Sequence, residues 1–142
     1  QNKDILKDVT LEIGGENIAK QINFMSQKSH LYKSLKDNPE NLEEIKKLEK
    51  AINDRNSYNI LPVSSIAVNQ KDIKNGDIIA FATAINGLDY SHMGIAYWQN
   101  DKLHFIHASS RMKKVVIETK TLLEYCKTSK NCTGISILRI NE

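Results

Sequence analysis

The sequence predicts an α+β domain in which helices pack on an antiparallel β-sheet. In the first half of the chain, apolar residues recur at helical spacing. The second half instead holds short segments rich in β-branched and aromatic residues, bounded by turn signals. A chain of 142 residues is long enough to bury one hydrophobic core. We therefore expect a single domain, mainly helical over residues 1–58 and an antiparallel sheet over residues 59–142.

Composition and charge argue against two classes of protein. The chain is 40% hydrophobic and 26% charged, with a net charge of only +3, which is ordinary for a globular protein. Its lysines are spread along helical faces, so no basic patch for nucleic acid is predicted. The longest apolar runs are far shorter than the roughly 20 residues that span a bilayer. We predict no nucleic-acid partner and no membrane span.

The first half shows one clear helix and one less regular segment. Gly14-Gly15 indicates a turn, and apolar residues at three- and four-residue spacing predict an amphipathic helix, or a bent pair, from about Glu16 to Lys36. Asn38-Pro39-Glu40 then forms a strong helix start, because asparagine caps and proline suits the first helical position. The helix that follows is expected to run to about Arg55, with one apolar stripe formed by Leu42, Ile45, Leu48 and Ile52.

The second half is predicted to be mostly strands. Residues 56–69 are interpreted as an extended connection around Pro62, with room for a short strand. A turn at Gly76-Asp77 leads into an apolar strand over residues 78–83. Further strands are predicted at residues 115–117 and 134–140, and a short helix at residues 121–126.

The most informative feature is a predicted β-hairpin. Its arms are residues 91–98 and 103–110, joined by Asn100-Asp101, a pair that suits a tight turn. Both faces of the hairpin are largely apolar, so we expect it in the middle of a covered sheet. Trp98 is expected to pack in the core.

The hairpin register places two histidines on one face. If the turn is centred on residues 100–101, His92 lies opposite Ser109 and His107 lies opposite Gly94. The two imidazoles are then diagonal neighbours, roughly 7–8 Å apart at the backbone. Gly94 is expected to leave room beside His107. A base oriented by a second polar ring is what nucleophilic catalysis requires.

A nucleophile for this site is difficult to find. Only two cysteines occur, Cys126 and Cys132, and both come after the histidines. They are compatible with a local disulfide in an oxidising compartment and equally with two free thiols in a reducing one. The chain begins at Gln1 rather than methionine, so we expect a processed or truncated product.

Three stretches carry a resemblance to a known superfamily: residues 77–81, 91–97 and 105–108. They resemble the second half of the NlpC-type papain-like cysteine hydrolases, which are bacterial cell-wall peptidases and amidases. The resemblance implies a papain-like fold in which His92 is the catalytic base. It also implies that His107 is the polar residue that orients the base.

Further stretches narrow the resemblance. Residues 22–26, 87–89, 107–110 and 113–117 are similar to the N-acetylmuramoyl-L-alanine amidase-like proteins, formerly a domain of unknown function. This implies cleavage of the amide between muramic acid and L-alanine, with anhydro-muropeptides from peptidoglycan turnover as substrates. It also implies a periplasmic or cell-envelope location, reached through a signal upstream of this chain. No cofactor is implied, because thiol–imidazole acyl transfer needs none.

The chain departs from this family pattern in one respect. Relatives carry the nucleophilic cysteine at the start of a helix upstream, whereas no cysteine precedes His92 here. We therefore interpret the chain as the C-terminal portion of such an enzyme. Its missing N-terminal segment would be a partner, and the fragment alone would be inactive.

Several alternatives stay open at this level. The chain could be a muropeptide-binding module without a nucleophile, or a permuted hydrolase that uses Cys126 or Cys132. Ser109 suits a cross-strand polar pair facing substrate better than a serine nucleophile. His92 and His107 lack an obvious third metal ligand, so no metal is predicted.

The remaining polar residues of interest are assigned more simply. Asp89 and Tyr90, just before the hairpin, are predicted to line the cleft and contact substrate. His104 and His107 are three apart on a strand and should lie on opposite faces. His30 is expected to be exposed.

Overall fold

One antiparallel sheet organises the protein. The computed structural model describes residues 5–141. Its strands are β1 (Leu6–Asp8), β2 (Glu16–Asn17), β3 (Asn59–Pro62), β4 (Ile78–Thr83), β5 (Tyr90–Gln99), β6 (Lys102–Ser109), β7 (Lys114–Ile117) and β8 (Cys132–Ile140). Over the same residues the α-helices are α1 (Phe24–Gln27), α2 (Pro39–Arg55), α3 (Val63–Asn69) and α4 (Leu122–Thr128). The predicted α+β class with an antiparallel sheet is confirmed.

The strand order makes β5 and β6 neighbours in the sheet. The order is β2-β3-β8-β4-β5-β6-β7, and β1 also pairs with β8. Each neighbouring pair is antiparallel. The strands β2 and β7 therefore lie at the two edges.

The core lies between one face of the sheet and the helices α3 and α4. Phe81 and Phe105 are completely buried there, as is Ile66 of α3. The same cluster includes Leu61, Ile79, Leu103, Leu122, Ile135 and Ile137. Burial of these aliphatic and aromatic side chains supplies most of the driving force for folding.

The opposite face of the sheet is apolar but partly exposed, contrary to the expected covered sheet. An aliphatic row crosses five strands there in register, formed by Leu138, Ile78, Ile95, Ile106 and Ile117. Ile95 is 46% exposed and Ile117 is 45% exposed. Within the described residues, the helices α3 and α4 pack on the other face only, so the prediction that both faces of the hairpin are covered is wrong.

Helix α2 begins and ends as predicted. The Asn38 side chain accepts a hydrogen bond from the Asn41 amide at 3.0 Å, and Pro39 occupies the first turn. The predicted apolar stripe is nevertheless poorly buried, because the helix packs mainly on the short α1. Leu48 is 44% exposed. Glu49 is the residue that α2 buries, and its carboxylate accepts a hydrogen bond from the Ser26 amide.

The predicted helix from Glu16 to Lys36 is wrong. This segment contains only β2, α1 and a 3₁₀ turn over Ser29–Leu31. Local amide bonds are confined to isolated turns over residues 27–36, and amides nearer the start of the segment bond to distant parts of the chain. The Ile18 amide donates to the Tyr58 carbonyl, and the amides of Asn23 and Phe24 both donate to the Gly87 carbonyl. Long-range pairing has therefore replaced the helix that the apolar spacing suggested.

The connection over residues 56–69 was only partly predicted. It contains the short strand β3 around Pro62, as allowed for, but it continues into the unpredicted helix α3. Ile66 of this helix is fully buried against the sheet.

The predicted strands at residues 78–83, 115–117 and 134–140 are confirmed as β4, β7 and β8, and the predicted short helix is α4. Thr121 and Glu124 close a capping box at its start.

The hairpin turn has the geometry that its sequence suggested. Asn100 has φ 50° and Asp101 has φ 59°, so both central residues are left-handed, as in a type I′ turn. Trp98 pairs with Leu103 and Ile95 with Ile106, which is the predicted register.

This turn gives a stability prediction. We expect Asp101→Gly to raise the free energy of unfolding by about 0.5–1 kcal/mol, because glycine removes the steric cost of positive φ. Urea denaturation would measure the change, with Asp101→Val as the opposite control. A stabilising valine would contradict this interpretation of the turn.

Candidate active site

His92 of β5 and His107 of β6 meet on the core-facing side of the sheet. His92 Nε2 lies 2.7 Å from His107 Nδ1. The ring centroids are 4.9 Å apart, and the ring planes are nearly perpendicular. At this distance one of the two nitrogens must carry a hydrogen, so a hydrogen bond joins the rings. The predicted juxtaposition of the two imidazoles is confirmed.

Gly94 makes room for a different ring from the one expected. A Cβ at this position would lie 2.7 Å from Phe105 Cδ2 and 3.0 Å from the Ile106 carbonyl oxygen. Phe105 in turn packs against His107, with centroids 4.9 Å apart. The absent side chain therefore accommodates Phe105, and it affects His107 only through that ring.

The two histidines differ in their exposure to solvent. His107 is buried, whereas His92 is partly exposed where it lines a cleft. Burial lowers the pKa of His92, and the neighbouring His107 lowers it further. His92 is therefore neutral at neutral pH, which is the form in which an imidazole accepts a proton.

Glu118 extends the pair and was missed by sequence analysis. It follows β7 directly, and its Oε2 lies 3.4 Å from His107 Nε2, a buried nitrogen with no other close polar partner among the described residues. This is an ion-pair distance without the alignment of a good hydrogen bond. The β6–β7 register offered a signal, because Val116 pairs with His107 and Glu118 lies two residues further on.

The Glu118 carboxylate is held by its own loop. Its Oε1 accepts hydrogen bonds from the Lys120 amide and the Thr119 hydroxyl, both at 3.2 Å. Burial raises the pKa of Glu118, but these hydrogen bonds and the proximity of His107 outweigh it, and the net shift is downward. Glu118 is therefore ionised at neutral pH.

The histidines open onto a cleft of about 380 Å³. Its lining residues are mostly polar or charged: His92, His107, Ser109, Ser110, Arg111, Glu118, Thr119, Lys120 and Tyr125. Ser109 lies at this cleft, and its hydroxyl oxygen accepts a hydrogen bond from the Met112 amide at 3.2 Å. That bond stabilises the turn after β6, and a substrate contact by Ser109 stays a prediction.

Asp89 and Tyr90 are not brought to this cleft. The β4–β5 register shifts between Phe81, which pairs with His92, and Ala82, which pairs with Tyr90. This bulge places Tyr90 on the opposite sheet face from His92. The Tyr90 hydroxyl is 2.8 Å from Ser136 Oγ, and Asp89 and Tyr90 line a separate pocket with Lys20. Their predicted contact with substrate would therefore need a second binding surface.

Neither cysteine lines the cleft. Cys126 is buried in the core, and the Cys132 thiol points to the Gly134 carbonyl at 3.5 Å. The sequence left open a local disulfide or two free thiols, and the structure shows two free thiols. The hydrogen bond that the Cys126 thiol donates to Cys132, together with burial, raises the pKa of Cys126. A buried thiol of this kind is a poor nucleophile.

Other assigned residues lie where simpler interpretations put them. Trp98 packs against the core, and its indole donates to the Ile73 carbonyl at 2.8 Å. His104 Nδ1 lies 3.0 Å from the Glu118 carbonyl oxygen, and His30 is exposed.

Across residues 5–141, no three potential ligands cluster as a metal would require. No helix in that range has the length and apolar character needed to cross a bilayer.

The cleft therefore holds two hydrogen-bonded imidazoles, one of them neutral and partly exposed, and acid–base chemistry by histidine needs such an imidazole. The chain belongs to the N-acetylmuramoyl-L-alanine amidase-like family, whose model matches residues 1–135. The resemblance to this amidase-like family that was drawn from the sequence is therefore confirmed. No curated protein matches the chain significantly.

Solved structures agree with this family. An N-acetylmuramoyl-L-alanine amidase from Bacteroides uniformis is 37% identical, with a TM-score of 0.89 over 99% of this chain and 59% of its own. A candidate xylanase from Bacteroides fragilis is 41% identical, with a TM-score of 0.81 over 94% of this chain and 58% of its own. A Legionella pneumophila protein, 22% identical with a TM-score of 0.68, shares the fold over 100% of this chain and 58% of its own. The chain thus spans less than two thirds of the length of these proteins.

Proposed function

We propose that this chain is the histidine-bearing part of a cell-wall amidase with an NlpC-type papain-like fold. The bond cleaved is the amide between N-acetylmuramic acid, in its anhydro form, and L-alanine. The observation that carries the proposal is the 2.7 Å contact between His92 Nε2 and His107 Nδ1, at the base of an open polar cleft. Membership of the amidase-like family supports the substrate class.

The proposed mechanism uses His92 as the base. His92 removes the proton from a cysteine thiol, and the thiolate attacks the lactyl carbonyl carbon of muramic acid. The C–N bond then breaks, and His92 returns the proton to the departing amine of L-alanine. Water, deprotonated by His92, hydrolyses the thioester and regenerates the thiol. Throughout these steps His107 holds the His92 ring in position.

The nucleophile in this proposal comes from outside the chain. Cys126 is buried and Cys132 lies away from the cleft lining, so neither is placed to attack a bound substrate. We assign the nucleophile to a cysteine in a segment of the parent protein upstream of residue 1. The parent would act in the periplasm or cell envelope, and the 142-residue chain alone would not turn over substrate.

The site suits an amidase better than a glycoside hydrolase, an alternative raised by the candidate xylanase among the similar structures. Glycoside hydrolysis normally needs two carboxyl groups that face each other across the scissile bond. Among the described residues, Glu118 is the only carboxylate lining the cleft, and it is directed at His107. An imidazole pair without a second carboxylate favours acyl transfer.

A non-catalytic muropeptide-binding module is the second candidate. It is favoured by the absence of cysteine from the lining of the described cleft. Such a module would retain affinity for muropeptides but would have no activity even in the full parent protein.

The deciding experiment incubates the parent protein with anhydro-muropeptides and identifies the products by mass spectrometry. We expect free stem peptide beginning at L-alanine, together with the anhydro sugar. Cleavage at a glycosidic or peptide bond would contradict the proposed amidase. Binding without any cleavage, measured by calorimetry, would favour the binding module.

A further inference from the structure

Glu118 is the feature of the cleft that the proposed mechanism leaves unused. Its Oε2 faces the buried His107 Nε2 at 3.4 Å, on the far side of His107 from His92. The three groups therefore form a continuous series of contacts from the carboxylate through His107 to the partly exposed His92. The side chain of Glu118 is only 14% exposed, so solvent screens the contact weakly.

We infer that Glu118 is a positioning residue that fixes which nitrogen of His92 acts as the base. An ionised carboxylate can only accept hydrogen bonds, so its negative charge, 3.4 Å away, favours a hydrogen on the facing His107 Nε2. When His107 carries a single N–H and that hydrogen is on Nε2, its Nδ1 is an acceptor. His92 must therefore donate through Nε2, which leaves His92 Nδ1 with the free lone pair. This inference rests on the proposed role of His92.

The same arrangement also stabilises the protonated state of His92. When His92 Nδ1 takes up a proton, His92 Nε2 still donates to His107 and no ring has to turn. The negative charge of Glu118 then stabilises the imidazolium of His92 across the His107 ring, as the buried acid of a triad does.

The other charged and titratable groups around the pair are few. Tyr125 of α4 packs near both imidazoles, with ring centroids 6.4 Å from His92 and 6.2 Å from His107. Burial raises the pKa of Tyr125, so this phenol stays neutral. Arg111 and Lys120 line the same cleft and are exposed. Glu118 is therefore the only anion that faces the pair among the described residues.

The test is nitrogen-15 NMR of the histidine rings in the 142-residue chain, which does not depend on turnover. In the wild type near pH 8 we expect hydrogen on Nε2 of both His92 and His107. In Glu118→Gln the amide oxygen still accepts, so the same tautomers are expected. Loss of the charge should, however, lower the pH at which the pair takes up a proton by about one unit.

A second variant removes the acceptor altogether. In Glu118→Leu we expect His107 to lose its Nε2–H preference and His92 to lose its single tautomer. Glu44→Gln on the exposed face of α2 is the control and should change neither tautomers nor titration. Amide spectra of each variant verify that the fold is intact.

Two results would overturn the inference. One is an unchanged tautomer pattern in a folded Glu118→Leu protein. The other is an unchanged titration of the pair in Glu118→Gln. If the parent protein fails to cleave muropeptides while the NMR results hold, the proposed function fails and the role of Glu118 in ordering the imidazoles stands.

Discussion

His92→Ala in the parent protein is expected to lower kcat/KM for muropeptide cleavage by about 10²–10⁴-fold. The mutation removes the only group in the described cleft that is both accessible and able to take a proton from a thiol near neutral pH. His92→Gln is a more conservative substitution, because the glutamine amide can still donate to His107 Nδ1 but cannot take up a proton. Release of free stem peptide, followed by liquid chromatography, gives the measurement.

The matched control is His30→Ala, which deletes an exposed histidine outside the cleft. It should retain wild-type turnover. If His92→Gln cleaves substrate at the wild-type rate, His92 is not the base.

The pH dependence of the wild type follows from the same residue. Burial, followed by the influence of His107, lowers the pKa of His92 below the ordinary 6.5. A base works in its neutral form, so activity should persist as the pH falls through 6.5 and decline only at lower pH. A decline centred above pH 6.5 would show that another group controls the reaction.

Phe105→Ala should lower the free energy of unfolding by about 3–5 kcal/mol, the largest stability effect predicted for this protein. Phe105 is completely buried, and its ring centroid lies 4.9 Å from those of Phe81, His107 and Tyr125 alike. Truncation would leave a cavity in this aromatic cluster, in contact with the His107 ring. Urea denaturation of the 142-residue chain would measure the loss.

Val115→Ala on the neighbouring strand β7 provides the comparison. Val115 is 69% exposed, so its truncation should change stability by less than about 0.5 kcal/mol. A loss below 1 kcal/mol in Phe105→Ala would mean that the core relaxes around the missing ring.

Local signals in the sequence were sufficient to predict the hairpin of β5 and β6 and the helix α2. The Asn100-Asp101 turn fixed the register of β5 and β6, and the register brought His92 to His107. Asn38 and Pro39 fixed the start of α2 in the same way. In each case a few adjacent residues determine the geometry, so one sequence is enough to predict it.

Features that depend on distant contacts were not predictable in this way. The segment over residues 16–36 is held by Tyr58 and Gly87, which nothing in its own pattern reveals. The bulge that turns Tyr90 away from His92 breaks the period-two rule on which the prediction rested. Glu118 comes to His107 only because β7 pairs with β6.

The edge position of β7 has a consequence for the motions of the site. This four-residue strand is hydrogen-bonded along one side only, to β6, and Glu118 begins the loop that follows it. Short edge strands fray more readily than central ones. We expect the β7 amides to exchange with deuterium faster than those of β4 and β5, and each brief opening would separate the carboxylate from His107 while the two imidazoles stay bonded.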